Sequence, residues 1–263
     1  MIEKLKKEWE ETKVLFKCMP TIPFAFLVCC LIAMNFLANR GGAIGPVAFD
    51  CGVIVSWVVF LASDMLVKRF GAKASIKINI AALALELVAV GLMALGTLLP
   101  FAMYGSTPEE SAVFTQIFVA APWPLFAGAA AALLANVINA LISKAILLKF
   151  KNRTSGKAYI TASWISTAIG QFFDNSFFGL FFSMWQPWFP AFHTWKALIY
   201  IIPASAMGAI IELVGQMIFS PVGFKIAETW RRKGIGQEYV DMVKEAQEVN
   251  ANLELPEAEP VAI

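Results

Sequence analysis

Residues 159–185 read YITASWISTAIGQFFDNSFFGLFFSMW. The run holds one acid, Asp174, and no base. As a helix it is about 40 Å long at ~1.5 Å per residue, enough to cross the roughly 30 Å hydrocarbon core of a bilayer. Its polar residues follow a pattern. Gln171 lies three residues before Asp174 and four before Asn175, and Ser163 and Thr167 continue the row. All of them share one helical face. The spacing predicts a membrane-spanning helix whose polar face is turned away from lipid.

The rest of the chain agrees. Of its 263 residues, 59% are hydrophobic and 15% are charged, and the mean hydropathy is +0.67. Soluble domains carry about 25% charged residues. This composition excludes a soluble enzyme and a disordered chain. A net charge of +2 and the lack of a basic helix interleaved with aromatics exclude a nucleic-acid-binding surface. Apolar stretches fall at 21–39, 47–67, 78–104, 117–148, 159–185 and 196–226. The expected architecture is all-α, a polytopic bundle of about six transmembrane helices. The separators are a Gly-rich turn at 39–46 and polar loops at 68–77, 105–115, 149–158 and 186–195. Pro122 and Pro124 near the start of the fourth stretch predict a break or kink there.

Residues 1–19 read as a short amphipathic helix on the cytoplasmic membrane face, with Ile2, Leu5, Trp9, Val14 and Leu15 at helical spacing. The long charged run does not fit a signal peptide. Residues 20–230 form the expected transmembrane domain. Residues 231–263 turn polar and acidic, reading as a cytoplasmic helix over 237–250 and a disordered tail. Basic residues cluster in the N-terminal arm, in 68–77, in 149–158 and after Lys225, whereas the alternate loops hold only Arg40 and Lys196. With six spans, every basic segment lands on one side, so both termini are expected in the cytoplasm of a multi-pass cell-membrane protein.

Ionisable groups inside spans are costly and mark function or a neutralising pair. Five acids fall in or near spans: Asp50, Asp64, Glu86, Asp174 and Glu212. Asp64 is one turn before Lys68, so an interfacial ion pair between them is one expectation. Glu212 and Gln216 share a face, as do Asn136, Asn139 and Ser143, and Asn35 and Asn39. Together with Gln171, Asp174 and Asn175 they are expected to line one central polar cavity. The alternative is a hydrogen-bond network that only locks helices together. Glu86 either joins the cavity or snorkels.

Trp185, Trp188 and Trp195 read as an interfacial belt. Trp57 and Trp164 sit deeper and are candidates to stack on a flat ligand. The cysteines, Cys18, Cys29, Cys30 and Cys51, lack metal-ligand spacing, and His193 is the single histidine, so no metal or cofactor is expected. Enzyme signatures are absent: no zinc-protease motif, no nucleophile elbow and no P-loop.

Asn35, then Phe60-Leu61-Ala62-Ser63-Asp64 with Lys68-Arg69-Phe70-Gly71, and later Thr161-Ala162-Ser163, Gln171, Asp174, Phe177-Phe178 and Trp185 form a recognisable series. It resembles the vitamin-uptake-transporter-like family, which includes bacterial queuosine precursor transporters, over roughly residues 25–230. The family's helix 4 carries an Asp three residues after a Gln, and here both positions are amides, Asn136 and Asn139.

The resemblance implies import of a 7-deazaguanine such as preQ0, preQ1 or queuine. Such a guanine-like edge offers two adjacent N–H donors and a carbonyl. A carboxylate accepts both donors and an amide donates to the carbonyl. Asp174 or Glu212, with Gln171, Asn175 or Asn139, suits that edge, and Asn35, Asn136, Gln216, Trp57 and Trp164 complete the expected site. Asp64, Lys68 and Arg69 are expected as gating or structural charges. The expected partners are a nucleobase-like small molecule and the lipid bilayer, with no nucleic acid. A homodimer through the small-residue face of 126–132 is a further possibility. Competing readings are a substrate-capture subunit for a separate ATPase, an importer of another vitamin-like heterocycle, and a membrane scaffold.

Overall fold

The computed structural model describes residues 2–38, 40–99, 107–119, 122–185 and 198–254. In chain order these form helices α1 (Ile2–Cys18) and α2 (Thr21–Ala38), and a hairpin of β1 (Gly41–Ile44) and β2 (Val47–Asp50). Helices α3 (Val53–Phe70), α4 (Ala72–Gly96), α5 (Pro108–Val119), α6 (Pro122–Lys149), α7 (Gly156–Trp185), α8 (Leu198–Arg232) and α9 (Gln237–Glu254) follow. Four described helices are long and apolar enough to cross a membrane: α2, α4, α6 from Phe126, and α8. The two expected spans outside that set are α3 and α7. In α3, Asp64, Lys68 and Arg69 fall within 18 residues, and α7 carries the polar row quoted above.

α3 is the central helix and packs against α2, α4, α6, α7 and α8. Twelve of its side chains are buried, including Val59, Phe60 and Leu66. α7 lies between α6 and α8. Outward faces are apolar: Ile54, Leu92, Leu141, Ile210, Ile218 and Val222 are all exposed. Contiguous apolar surface on this scale needs a nonaqueous neighbour.

Several expectations change. The stretch 47–67 does not enter its helix until Val53, because Gly41–Asp50 pair as an antiparallel hairpin, with Gly41 opposite Asp50 and Ile44 opposite Val47. Gly45 takes φ +59°, the positive value that the first turn position of a type II′ hairpin requires. The polar loop 68–77 is helical except at Gly71, whose φ of +89° lets α3 end and α4 begin with no further linker. Lys68 and Lys77 lie within these helices, beyond the apolar runs. Most of the loop 105–115 belongs to α5. α6 starts at Pro122, so the chain does break there, and both prolines sit in a first turn where a missing N–H costs little.

The small-residue face of α6 is not available to a second copy. Ala127, Ala131, Ala132 and Ala135 are buried within the chain.

α1 does not lie on a surface by itself. Leu15 and Met19 are buried in the core cluster, and α1 packs on α9. Lys73 of α4 donates to Glu8 and Glu11 over 2.7 and 2.6 Å, and Lys77 pairs with both acids at 3.0 and 3.1 Å. The bonds from Lys73 and then Lys77 hold the Glu8 carboxyl down at about 2. Leu5 and Trp9 stay outward, 64% and 61% exposed. Loop 186–195, with His193 and Trp188, lies outside the described residues, as do Asn39, Trp195, Lys196 and the tail from 255.

Candidate functional site

The polar row of α7 faces two different groups of partners at two heights. Toward the start of α7, Ser163 and Thr167 meet Asp64 of α3. Ser163 donates to Asp64 Oδ2 over 2.6 Å and Thr167 over 3.5 Å. Gln216 of α8 donates to the same oxygen over 2.8 Å and to Ser163 Oγ over 2.6 Å, while Asn139 of α6 donates to Oδ1 over 3.1 Å. Asp64 is 1% exposed and has four helices around one carboxylate. The expected pair with Lys68 is absent. Lys68 donates to the Thr154 carbonyl over 3.2 Å, and its Nζ stands 4.7 Å from the Phe224 ring centroid. Arg69 donates to Ile235 O over 2.7 Å and to Gln237 over 3.2 Å, tying α3 to the turn before α9. Burial explains the difference: Asp64 faces the bundle interior, one turn too deep for a charge that keeps its head in water.

Two turns further along α7, Gln171 and Asn175 meet Glu212 of α8. Asn175 donates to Glu212 Oε2 over 3.0 Å. Gln171, with its amide nitrogen turned to Glu212, donates to both carboxylate oxygens over 3.0 and 3.3 Å. Ser56 of α3 donates to Glu212 Oε1. Gly208 permits this arrangement, since a Cβ there would stand 2.8 Å from Asn175 Nδ2.

Beside Glu212 is a cavity of about 30 Å³. Asn35, Asp50, Ser56, Asp174, Asn175 and Phe178 line it with Glu212. The hairpin delivers Asp50, which accepts the Gly52 N–H over 2.8 Å. Asp174 is buried yet has no hydrogen-bond partner among the described residues. Asn35 donates to Glu86 of α4 over 2.5 Å, so Glu86 neither lines the cavity nor snorkels but holds a lining residue. Gly128 of α6 lies so close to Asn35 Oδ1 that no side chain fits between them.

The single cavity expected from the sequence is therefore divided. Asn35, Asp174, Asn175 and Glu212 line it, and Gln171 touches it through Glu212. Asn139 and Gln216 belong to the Asp64 cluster instead. Asn136 donates to Ala132 O of its own helix over 2.8 Å. Trp57 stacks on Phe219 at 4.7 Å and covers Gly215, while Trp164 donates to Ser220 over 2.9 Å, so neither indole lines the cavity. Asp50, Ser56 and Phe178 were not expected there. Ser56 lies eight residues before Asp64, on the same face of α3, and that spacing was the available signal.

Apolar helices long enough to cross a membrane, packed around a buried, carboxylate-rich cavity, define a polytopic membrane protein. No group of three or more His, Cys, Asp or Glu that could hold a metal ion occurs among the described residues. The chain belongs to the family described as Putative vitamin uptake transporter, whose profile matches residues 50–229. This is a transporter family and not an enzyme family. Curated proteins and solved structures yield no match to the chain.

Proposed function

We propose that the chain imports a queuosine precursor, a 7-deazaguanine such as preQ0, preQ1 or queuine, across the cytoplasmic membrane and binds it in the cavity between Asp174 and Glu212. Asp174 carries this reading, as a buried carboxylate that lines the cavity and has no hydrogen-bond partner among the described residues. Leaving such a group unmatched is expensive inside a membrane, and a ligand with paired N–H donors relieves it. Asn175 and Asn35 supply amide groups for a ring carbonyl, and Phe178 an aromatic surface for the flat face.

The cavity of about 30 Å³ has room for one water. Small-molecule sites span roughly 300–1,000 Å³. The geometry therefore corresponds to a closed state, and α7 and α8 part to admit substrate in an alternating-access cycle. In this reading α2, α3, α4, α6, α7 and α8 all span the membrane. Residues 20–230 form the transport domain, and α1 and α9 lie at its cytoplasmic end, where the basic residues gather.

The test is thermal stability of the purified chain with preQ0, preQ1, queuine, guanine and several vitamins. A ligand of the folded state raises the melting temperature with concentration. A rise with a deazaguanine that vanishes in Asp174→Ala supports the site and the substrate class. A rise with another vitamin alone discards the deazaguanine.

A further inference from the structure

We propose that Asp50 fits the cavity to a cation: it takes a protonated amine of the ligand, so that an amine-bearing deazaguanine binds well and a neutral one poorly. This names the substrate class within the transport reading above and rests on that reading.

Three carboxylates line the cavity, those of Asp50, Asp174 and Glu212, and no Lys, Arg or His among the described residues joins them. Arg40, which precedes the hairpin, is exposed and is not a lining residue. Each acid is met differently. Glu212 receives neutral donors from Ser56, Gln171 and Asn175, which engage both of its oxygens. Asp174 is 8% exposed and accepts no hydrogen bond from any described residue. That unmatched group points to a ligand, because buried polar atoms without a partner are rare. Asp50 accepts the Gly52 N–H at Oδ1 over 2.8 Å, and no side chain among the described residues donates to it. Gly52 permits this return of the carboxylate, since a Cβ there would stand 2.7 Å from the same oxygen.

Hydrogen bonds from neutral groups satisfy lone pairs but cancel no charge. The N–H pair of a guanine-like edge is neutral, and it answers Asp174 only as a hydrogen-bond acceptor. The neighbouring acids still repel one another, and a positive charge offsets that repulsion. An alkyl amine supplies both the charge and the N–H donors, since it stays protonated at neutral pH as lysine does, with a pKa of about 10.4. Its place follows by elimination. Both Glu212 oxygens are engaged and Asp174 takes the ring edge, which leaves Asp50 for the amine. The candidate ligands divide on this chemistry. preQ1 carries an aminomethyl group where preQ0 carries a nitrile, and queuine carries a secondary amine at that position.

The experiment follows the melting temperature of the purified full chain against the concentration of preQ1, preQ0, queuine, guanine, thiamine and biotin at neutral pH. preQ1 and queuine should half-saturate the rise at concentrations about tenfold or more below preQ0 and guanine, since charge-assisted hydrogen bonds are roughly twice as strong as neutral ones. Asp50→Asn keeps an oxygen for the Gly52 N–H and removes the charge. It should bring the ratio between preQ0 and preQ1 to about one. Equal wild-type responses to preQ1 and preQ0 overturn the proposal and leave the transport reading standing. A ratio that survives Asp50→Asn, with both ligands weakened alike, also overturns it, because Asp50 is then structural. A response to thiamine, a cation, that Asp50→Asn removes, with none to any deazaguanine, rejects the deazaguanine and keeps the preference for a cation. A response to biotin, an anion, alone or to no compound overturns both.

Discussion

Asp64 and Glu212 are both buried carboxylates held by hydroxyl and amide donors, Asp64 by donors from α6, α7 and α8 and Glu212 by donors from α3 and α7. They differ in what stands beside them. Around Asp64 the side chains close on one another. Around Glu212 they border a cavity shared with Asp50 and Asp174. The same helical faces thus build a knot at one height and a vessel at another. A polar face in a membrane helix therefore does not by itself specify a cavity, and the proposed binding rests on the acid that its described neighbours leave unmatched.

The sharpest way to break this comparison is to delete each acid. Asp64→Ala leaves Asn139, Ser163, Thr167 and Gln216 without their common acceptor and should cost of order 3 kcal/mol in unfolding from detergent. Asp174→Ala, which removes no hydrogen bond among the described residues, should leave stability within ~1 kcal/mol while abolishing substrate binding. Equal destabilisation by the two variants would erase the distinction.

Gly208→Ala should show a smaller loss. The new methyl stands 2.8 Å from Asn175 Nδ2, so Asn175 is pushed off Glu212, at about 1–3 kcal/mol for overpacking. Gly91→Ala on α4 meets nothing within 4 Å and should be neutral or stabilising by less than ~1 kcal/mol. Melting curves of the two variants separate close approach at the site from helix propensity.

The smallest effect belongs to a third region, the α1 cap. Lys73 and Lys77 lower the Glu8 carboxyl from 4.5 to about 2. A lowered carboxyl stabilises the fold above its unfolded value and loses that contribution as pH falls. Protection of α1 amides from hydrogen exchange should therefore decline between pH 4.5 and about 2, and Glu8→Gln should flatten that decline. Both Glu8 and Lys73 are partly solvated, so the change is modest.

Much of this was legible in the chain. The spacing of Gln171, Asp174 and Asn175, and of Glu212 and Gln216, places each set on one face, because helical period alone decides that. Height was not legible. Whether Gln216 meets Glu212's cavity or Asp64 depends on how α7 and α8 run past one another, and no spacing within one helix records the register between two. The hairpin was missed for a different reason. Val47–Asp50 is apolar enough to read as the start of a span, and only the Gly45-Pro46 turn argued otherwise. Trp57 and Trp164 matched the expected chemistry of stacking, yet Gly215 gives one indole a flat seat and Ser220 gives the other an acceptor. Asp50 and Phe178 reach the cavity through tertiary packing that their own neighbours in sequence do not reveal.

The most direct test of the central claim is equilibrium binding of radiolabelled queuine to the purified chain, comparing wild type with Asp174→Ala. Saturable binding by wild type and none by a variant that melts at the same temperature is the predicted result. Undiminished binding by Asp174→Ala would contradict it and move the site away from this cavity.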